Sequence, residues 1–395
     1  MMKALFLTDS YRPSRSACAN RVSVLVEKMM DAGIDVHVLA SSDSLLHAPN
    51  NYATPDHVTF FETFSLQKKS TINRLRNNLG GCRASIKIAE NLGDFDVVIC
   101  TSPPLLLTLS AVSIAKKKQA KLVLDIRDIW PDVAYEMGSF APGSFYGKFF
   151  SFVSAYGLRS ADMVTTVSAG KVKKLKSQMG LNEHRVKLVP NGIDEDFVCL
   201  EEDPSIVDRF HLNDGSVCCY VGNIGLAQGL GTLLDIASVR PDVRFLLFGD
   251  GADKQTLEAR VEQDAISNVK FCGQINARGV YTVLKHSSLS FVPLVSSRLK
   301  DSIPTKLYEC IACGCPVLLA AQGDSVDLLS EIRLGRHAAP EDHQGLLAAF
   351  DLLMSRGFSE EEKAEASRRM IMEHSRQKAA RIFASLLYEM YEGNC

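Results

Sequence analysis

The chain has 395 residues, 46% of them hydrophobic and 23% charged, with a formal net charge of −2; this excludes a disordered chain, and the length exceeds one hydrophobic core, so two or three domains are expected. No apolar run reaches the roughly 18 residues needed to cross a bilayer, and the opening MMKALFLTDSYRP turns polar too early for a signal peptide, so a cytoplasmic location is expected. The 11 cysteines are odd in number and scattered through apolar segments, which fits reduced core thiols better than a disulfide framework.

Strand-like and helical runs alternate from the start. KALFLT precedes a helix over about residues 17 to 32, then come DVHVLA, HVTFF, a long basic helix, DVVIC, another helix and KLVLDI. MVTTV and VKLVP follow with a helix between them. VVIC and LVLDI are apolar on both faces, as a parallel sheet covered on both sides requires. At Pro190 the pattern breaks into NGIDEDFVCLEEDPS, a turn-rich linker. VCCYVG, VRFLLFG, NVKFCG, LSFVPL and PVLLA then repeat the alternation. The expected divisions are 1–197, 198–374 and a C-terminal helix over 375–395 that packs back on the first domain. Residues 1–197 hold 24 Lys and Arg against 19 Asp and Glu, a net of +5, which leaves −7 for the remainder.

The stretch Asp301–Val317, DSIPTKLYECIACGCPV, reads as a helix whose start faces an anion. Pro304 suits the first helical turn, Gly314 suits a left-handed terminator, and Lys306 with the free N–H groups would meet the anion. Glu309 lies eight positions after Asp301, about two turns on along a continuous helix. A carboxylate in that apolar run needs a partner. Upstream, Gly222, Gly225 and Gly229 lie between a strand and a helix, and Gly249, Asp250 and Gly251 repeat the arrangement. Each is either a tight turn or a diphosphate cradle at the C-terminal end of a strand.

Other candidates have plainer readings beside them. Arg127 and Asp128, next to the single tryptophan Trp130, either pair with each other or face a ligand. Arg12, Ser14, Arg15 and Ser16 follow the first strand. Cys310, Cys313 and Cys315 resemble part of a metal cluster but have no second pair at zinc spacing, so small buried residues are expected. Asp94 with Asp96, and Asp194 with Asp196, read as turn acids rather than metal ligands. Lys68, Lys69, Arg74, Arg76, Arg83 and Lys87, with the aromatic run Phe140, Phe145, Tyr146, Phe149, Phe150 and Phe152, either dock on an acidic membrane surface or, for the aromatics, form core. No nucleic-acid motif is present.

SADMVTTVSAGKVKKL, VKLVPNGIDEDF, YVGNIGLAQGLGTLLDIA, LLFGDG, VKFCGQI and the 301–317 stretch, in that order, resemble glycosyltransferases of family 4. The resemblance implies an α/β protein of GT-B fold: two Rossmann-like, doubly wound parallel-sheet domains facing a central cleft, the first taking the acceptor and the second the nucleotide sugar. It implies retaining transfer with no cofactor and no required metal. The family's acidic pair maps onto Asp301, which would contact the donor sugar, and Glu309, which would bind the ribose. Gln274 and Ile275 would hold the base, and Gly222, Asn223, Gln228, Gly249, Arg298, Lys306 and Leu307 would complete the donor site. Ser14, Arg15 and Ser16 would lie on the acceptor side, with Arg127 and Asp128 placing the acceptor.

Three departures stand out. Asp301 replaces a glutamate, Asn223 and Gln228 replace a diphosphate-binding Arg and Lys, and Ser14-Arg15-Ser16 replaces a glycine pair. Lys306 and Arg298 are the expected substitutes for the lost charge. RDIWPD, GNIGLAQGL and IPTKLYE resemble the bacterial surface-polysaccharide branch that includes N-acetyl-fucosamine transferases. That implies a UDP-linked N-acetylated sugar, a lipid-linked oligosaccharide acceptor and a peripheral position on the inner membrane. A GT-B nucleotide-sugar epimerase and a non-catalytic donor-binding subunit are the alternatives.

Overall fold

The computed structural model describes residues 1–46, 48–63, 71–136 and 138–393. Lys68 and Lys69 lie outside the described residues. The chain forms two compact units, 1–191 with 376–395, and 192–375.

In the first unit seven parallel strands lie in the order β3-β2-β1-β4-β5-β6-β7. They are β1 (Lys3–Thr8), β2 (Asp35–Ser41), β3 (Val58–Phe61), β4 (Val97–Ser102), β5 (Lys121–Ile126), β6 (Met163–Thr166) and β7 (Val186–Leu188). Alternation along β1 explains why the strand is apolar throughout. Ala4 and Phe6 join a core with Val22, Leu25 and Met29 of the helix Ala17–Asp31, and Leu5 and Leu7 join one with Ala111 and Ile114 of the helix Leu107–Lys118 on the other face. The helix Arg376–Tyr391 belongs to this unit. It buries Phe383 and Leu387 in the first of those cores, and each such side chain stabilises by about 1.5–3 kcal/mol. Its Tyr388 hydroxyl donates to the Ala32 carbonyl at 2.9 Å.

The second unit repeats the plan with six parallel strands in the order β10-β9-β8-β11-β12-β13. These are β8 (Val217–Val221), β9 (Arg244–Phe248), β10 (Val269–Gly273), β11 (Leu289–Pro293), β12 (Val317–Ala320) and β13 (Gly335–Ala338). β13 is absent from the sequence reading. It is GRHA, a short polar edge strand paired only with β12, and it carries no apolar alternation to betray it. The unit begins before the expected residue 198. Ile193 is buried in its core, forms a parallel bridge with Ser375, and donates its N–H to the His374 carbonyl at 2.8 Å.

Several plain readings match the local geometry. Asp96 accepts from the Lys3 N–H at 2.7 Å, and Asp194 caps the short helix Glu195–Val198. Cys310, Cys313 and Cys315 are buried in the second unit's core, where the Cys310 thiol donates to Ser290 Oγ at 3.2 Å. The aromatic run divides: Phe140 and Phe150 pack with Trp130, while Phe145 and Phe152 are exposed.

Candidate functional site

In an open parallel sheet, ligands sit beyond the C-terminal strand ends near the point where strand order reverses. In the second unit the loops after β8, β9 and β10 converge there. Gly222 donates its N–H to the Phe248 carbonyl at 2.9 Å, Ile224 to Asp250 at 2.9 Å, and Gly249 to Gly273 at 2.8 Å. The first two loops are in such close contact that a Cβ on Gly249 would stand 1.8 Å from the Gly222 carbonyl oxygen, and its φ is +141°. Only glycine fits. Between these loops lies a recess of about 330 Å³ lined by Gly222, Asn223, Gly249, Asp250, Gln274 and Ile275, among others.

The helix Thr305–Ala312 supplies the cation beside that recess. Pro304 is its N-cap, with extended φ −63° and ψ 137°, rather than its first helical residue. Asp301 therefore lies in the preceding turn, so the eight-residue spacing to Glu309 is not two turns of one helix. At the far end Gly314 has φ +71°, its N–H bonds the Ile311 carbonyl, and Cys315 bonds Cys310, both at 2.9 Å. That double bond pattern satisfies the last carbonyls and stops the helix.

Lys306 projects from the first turn to lie along the Tyr220 ring, 4.3 Å from its centroid. Its Nζ donates to the Tyr220 hydroxyl and to Gln228 Oε1, both at 2.8 Å. Tyr220 in turn donates to the Asn223 carbonyl at 2.6 Å. A Cβ placed on Gly222 would come within 3.3 Å of the ammonium, so Lys306 lies against a residue that lines the recess. Burial lowers its pKa from 10.5 to about 8, with Cys310 and Glu309 acting in the opposite direction. Burial also raises the Tyr220 pKa, so the hydroxyl stays protonated.

In the first unit a second cavity of about 480 Å³ opens at the same kind of place, between the ends of β1 and β4. Asp9, Ser10, Ser16, Cys18, Asp43 and Arg127 are among its lining residues. Arg127 does not pair with Asp128. Its Nε donates to Thr101 Oγ1 at 3.0 Å, another guanidinium nitrogen donates to the Pro103 carbonyl at 2.6 Å, and Asp9 lies 3.8 Å away. Burial raises the Asp9 pKa against the pull of Arg127, and burial pushes the Cys18 thiol up to about 12. Ser16 caps the helix Ala17–Asp31 by accepting from the Ala19 N–H at 3.1 Å, and bonds Ser10 at 2.7 Å. Ser14 accepts from Ser10 at 3.1 Å, while Arg15 is exposed.

Residues 19–197 match the family model described as Glycosyltransferase Family 4, and residues 206–372 match that described as Glycosyl transferases group 1. The two units are glycosyltransferase domains. A 2-deoxystreptamine glucosyltransferase of Streptomyces kanamyceticus is 24% identical over 199 residues, which is 48% of this chain and 50% of that protein. The gpi3 subunit of phosphatidylinositol N-acetylglucosaminyltransferase of Schizosaccharomyces pombe is 26% identical over 164 residues, 41% of this chain and 34% of that one. The matches thus span half and about a third of these curated relatives. Among solved structures, sucrose-phosphate synthase from Thermosynechococcus elongatus superposes with a TM-score of 0.81 at 16% identity over 100% of both chains. HepE of Anabaena, in complex with UDP, does so with a TM-score of 0.74 at 16% identity, over 98% of this chain and 100% of that one. At that identity the likeness establishes the GT-B fold.

Within the group 1 domain the structure gathers Gly222, Asn223, Gly249, Gln274 and Ile275 around one recess, with Lys306 and Gln228 joined beside it. It does not gather every expected donor residue. Arg298 is exposed in the segment after β11 and does not line the recess. Leu307 is wholly buried in the core and gives its N–H to the Pro304 carbonyl at 3.0 Å. Gln228, expected at the diphosphate, accepts from Lys306 Nζ at 2.8 Å. The sequence reading missed Tyr220. Its signal was a phenol in the buried strand VCCYV, where a hydroxyl needs a partner. In the family 4 domain it missed Asp9 and Asp43, which stand just past the ends of β1 and β2, and Cys18 in the first turn of the helix Ala17–Asp31.

Proposed function

We propose that the chain is a retaining glycosyltransferase. It takes an N-acetylated sugar from a UDP-linked donor and moves it to a lipid-linked glycan, in the assembly of a bacterial surface polysaccharide. The carrying observation is the Lys306 ammonium, fixed by Tyr220 and Gln228 against Gly222 at the recess of the group 1 domain. A held cation at a helix start, beside glycine loops that admit close backbone approach, suits a nucleoside diphosphate. HepE, of the same fold, has been crystallised with UDP and with UDP-glucose, and WaaG, another protein of that fold, is involved in lipopolysaccharide biosynthesis. RDIWPD, GNIGLAQGL and IPTKLYE support the N-acetyl-fucosamine branch.

In this reading Gln274 and Ile275 hold the base, Glu309 the ribose, and Asp301 the sugar. The bond from the anomeric carbon to the β-phosphate oxygen breaks while the acceptor oxygen bonds the same face. The acceptor proton passes to the departing phosphate oxygen. Lys306 stabilises the charge that develops there, without a required metal. Arg127, held rigidly by Thr101 and Pro103, places the acceptor with Asp128. A thermal-shift series with UDP, GDP, ADP and dTDP, with and without EDTA, tests the donor half. UDP at a hundredfold excess over Kd raises stability by about 2.7 kcal/mol, and EDTA leaves that unchanged. A melting temperature indifferent to all four nucleotides overturns the reading.

A further inference from the structure

The helix Phe145–Ser160 of the family 4 domain carries more aromatic side chains than its buried face takes up: Phe149 and Phe150 are partly buried, while Phe145, Phe152 and Tyr156 are exposed. Phe149, Phe150 and Val153 face inward, where Phe149 and Phe150 pack on the cluster of Cys82, Leu105, Leu106 and Val153 beside Trp130. Phe145, Lys148, Phe152, Tyr156 and Arg159 recur at intervals of three and four, which puts them on a single stripe. All five are exposed: Phe145 is 81% accessible, Phe152 70% and Tyr156 37%. The Phe152 and Tyr156 rings stack with centroids 6.4 Å apart at an interplanar angle of 10°. They thus form one apolar plate in water rather than scattered surface residues.

Cations surround that plate. Lys116, on the neighbouring helix Leu107–Lys118, reaches across to donate to the Tyr156 hydroxyl at 3.2 Å, and its Nζ lies 5.3 Å from the ring centroid. Lys148 and Arg159 lie on the stripe itself. Neither helix contains an acidic residue, and the adjoining helix Thr71–Asn91 adds the exposed Arg83 and Lys87 against a single acid, Glu90, which is paired with Lys117. Cations in the last turn of Leu107–Lys118 suit its helix dipole by themselves. The exposed aromatics have no such explanation.

We propose that this face docks on an anionic bilayer surface, with Phe145, Phe152 and Tyr156 entering the headgroup boundary and Lys116, Lys148 and Arg159 pairing with lipid phosphates. The charge selects the occupant. A border in which cations outnumber acids, the one acid Glu90 being paired with Lys117, is complementary to anionic lipid, whereas a second copy would bring cation against cation. No helix among the described residues is long and apolar enough to cross a membrane, so the contact lies on the surface. It stands independently of the donor assignment.

Vesicle co-sedimentation of the full chain tests this, comparing phosphatidylcholine alone with phosphatidylcholine containing about 30% phosphatidylglycerol. The expected result is binding to the anionic vesicles alone, weakened by salt, with more than about fivefold lost for each cation reversed in K116E and K148E. Phe145→Ser with Phe152→Ser should cost about tenfold or more. Circular dichroism and the UDP-induced thermal shift should be unchanged in these variants, because every altered residue is exposed and none lines either cavity. Equal binding to both vesicles, no binding to either, or variants that bind as wild type overturn the proposal. Concentration-dependent self-association abolished by Phe152→Ser overturns it in favour of a second copy.

Discussion

Raising the pH from about 7 to about 9 should strip the Lys306 ammonium of most of its charge, because burial beside Tyr220 has brought its pKa down from 10.5 to about 8. The charged fraction falls from about nine-tenths to about one-tenth over that range, so a ligand that requires the ammonium loses about tenfold in affinity. The ionisations of UDP itself, at its terminal phosphate near neutrality and at its uracil N3–H toward the alkaline end, are common to every variant and are subtracted from each profile. Calorimetric titration of UDP at constant ionic strength reads the effect directly. Lys306→Ala should bind weakly with a flat profile, while Lys306→Arg should be flat to about pH 9 because a guanidinium does not titrate there. Tyr220→Phe keeps the ring under the cation but removes the oxygen 2.8 Å from Nζ, so the fall should move to lower pH. The stability of the free protein should run the other way. Between about 8 and 10.5 the folded chain binds fewer protons at Lys306 than the unfolded chain, so this group's contribution to stability rises with pH. A wild-type affinity that is constant over the range and equal to that of Lys306→Ala would refute the assignment.

Two further predictions concern the scaffold. Asp125 and Arg21, 0% and 2% exposed, form a bidentate pair at 2.8 and 3.0 Å, and Arg21 also bonds the carbonyls of Val189 and Pro190. Asp125→Ala strands the guanidinium and should cost about 3–5 kcal/mol in urea unfolding; a loss below about 1 kcal/mol would mean that water reaches the site. Burial alone would raise the Asp125 pKa, but Arg21 and Thr165 hold it below 3.8, so this stabilisation is present above that value and is lost as pH falls through the depressed one. Gly249→Ala forces a Cβ to 1.8 Å from the Gly222 carbonyl at φ +141°. It should cost roughly 3 kcal/mol or more and abolish the UDP-induced thermal shift; a variant with wild-type melting and binding would show that the two loops are not held together.

The apolar strands, the helices between them and the two-sheet α/β plan were legible in the sequence because a strand buried on both faces must be apolar at every position. β13 was not, since an edge strand needs only backbone pairing. The composition of the 301–317 stretch marked a helix start and a left-handed stop. Whether Pro304 entered the helix or capped it depended on its ψ, which the residue type leaves open, and that choice moved Asp301 off the helix. The longest-range partners were beyond any local pattern: Lys306 meets Tyr220 from 86 residues away and Arg21 meets Asp125 from 104. The sequence could demand only that a buried charge or phenol find a partner. Periodicity likewise places Phe149 beside Phe145, Phe152 and Tyr156, and only its packing with Phe150 on the cluster of Cys82, Leu105, Leu106 and Val153 separates it from the rings that remain in water.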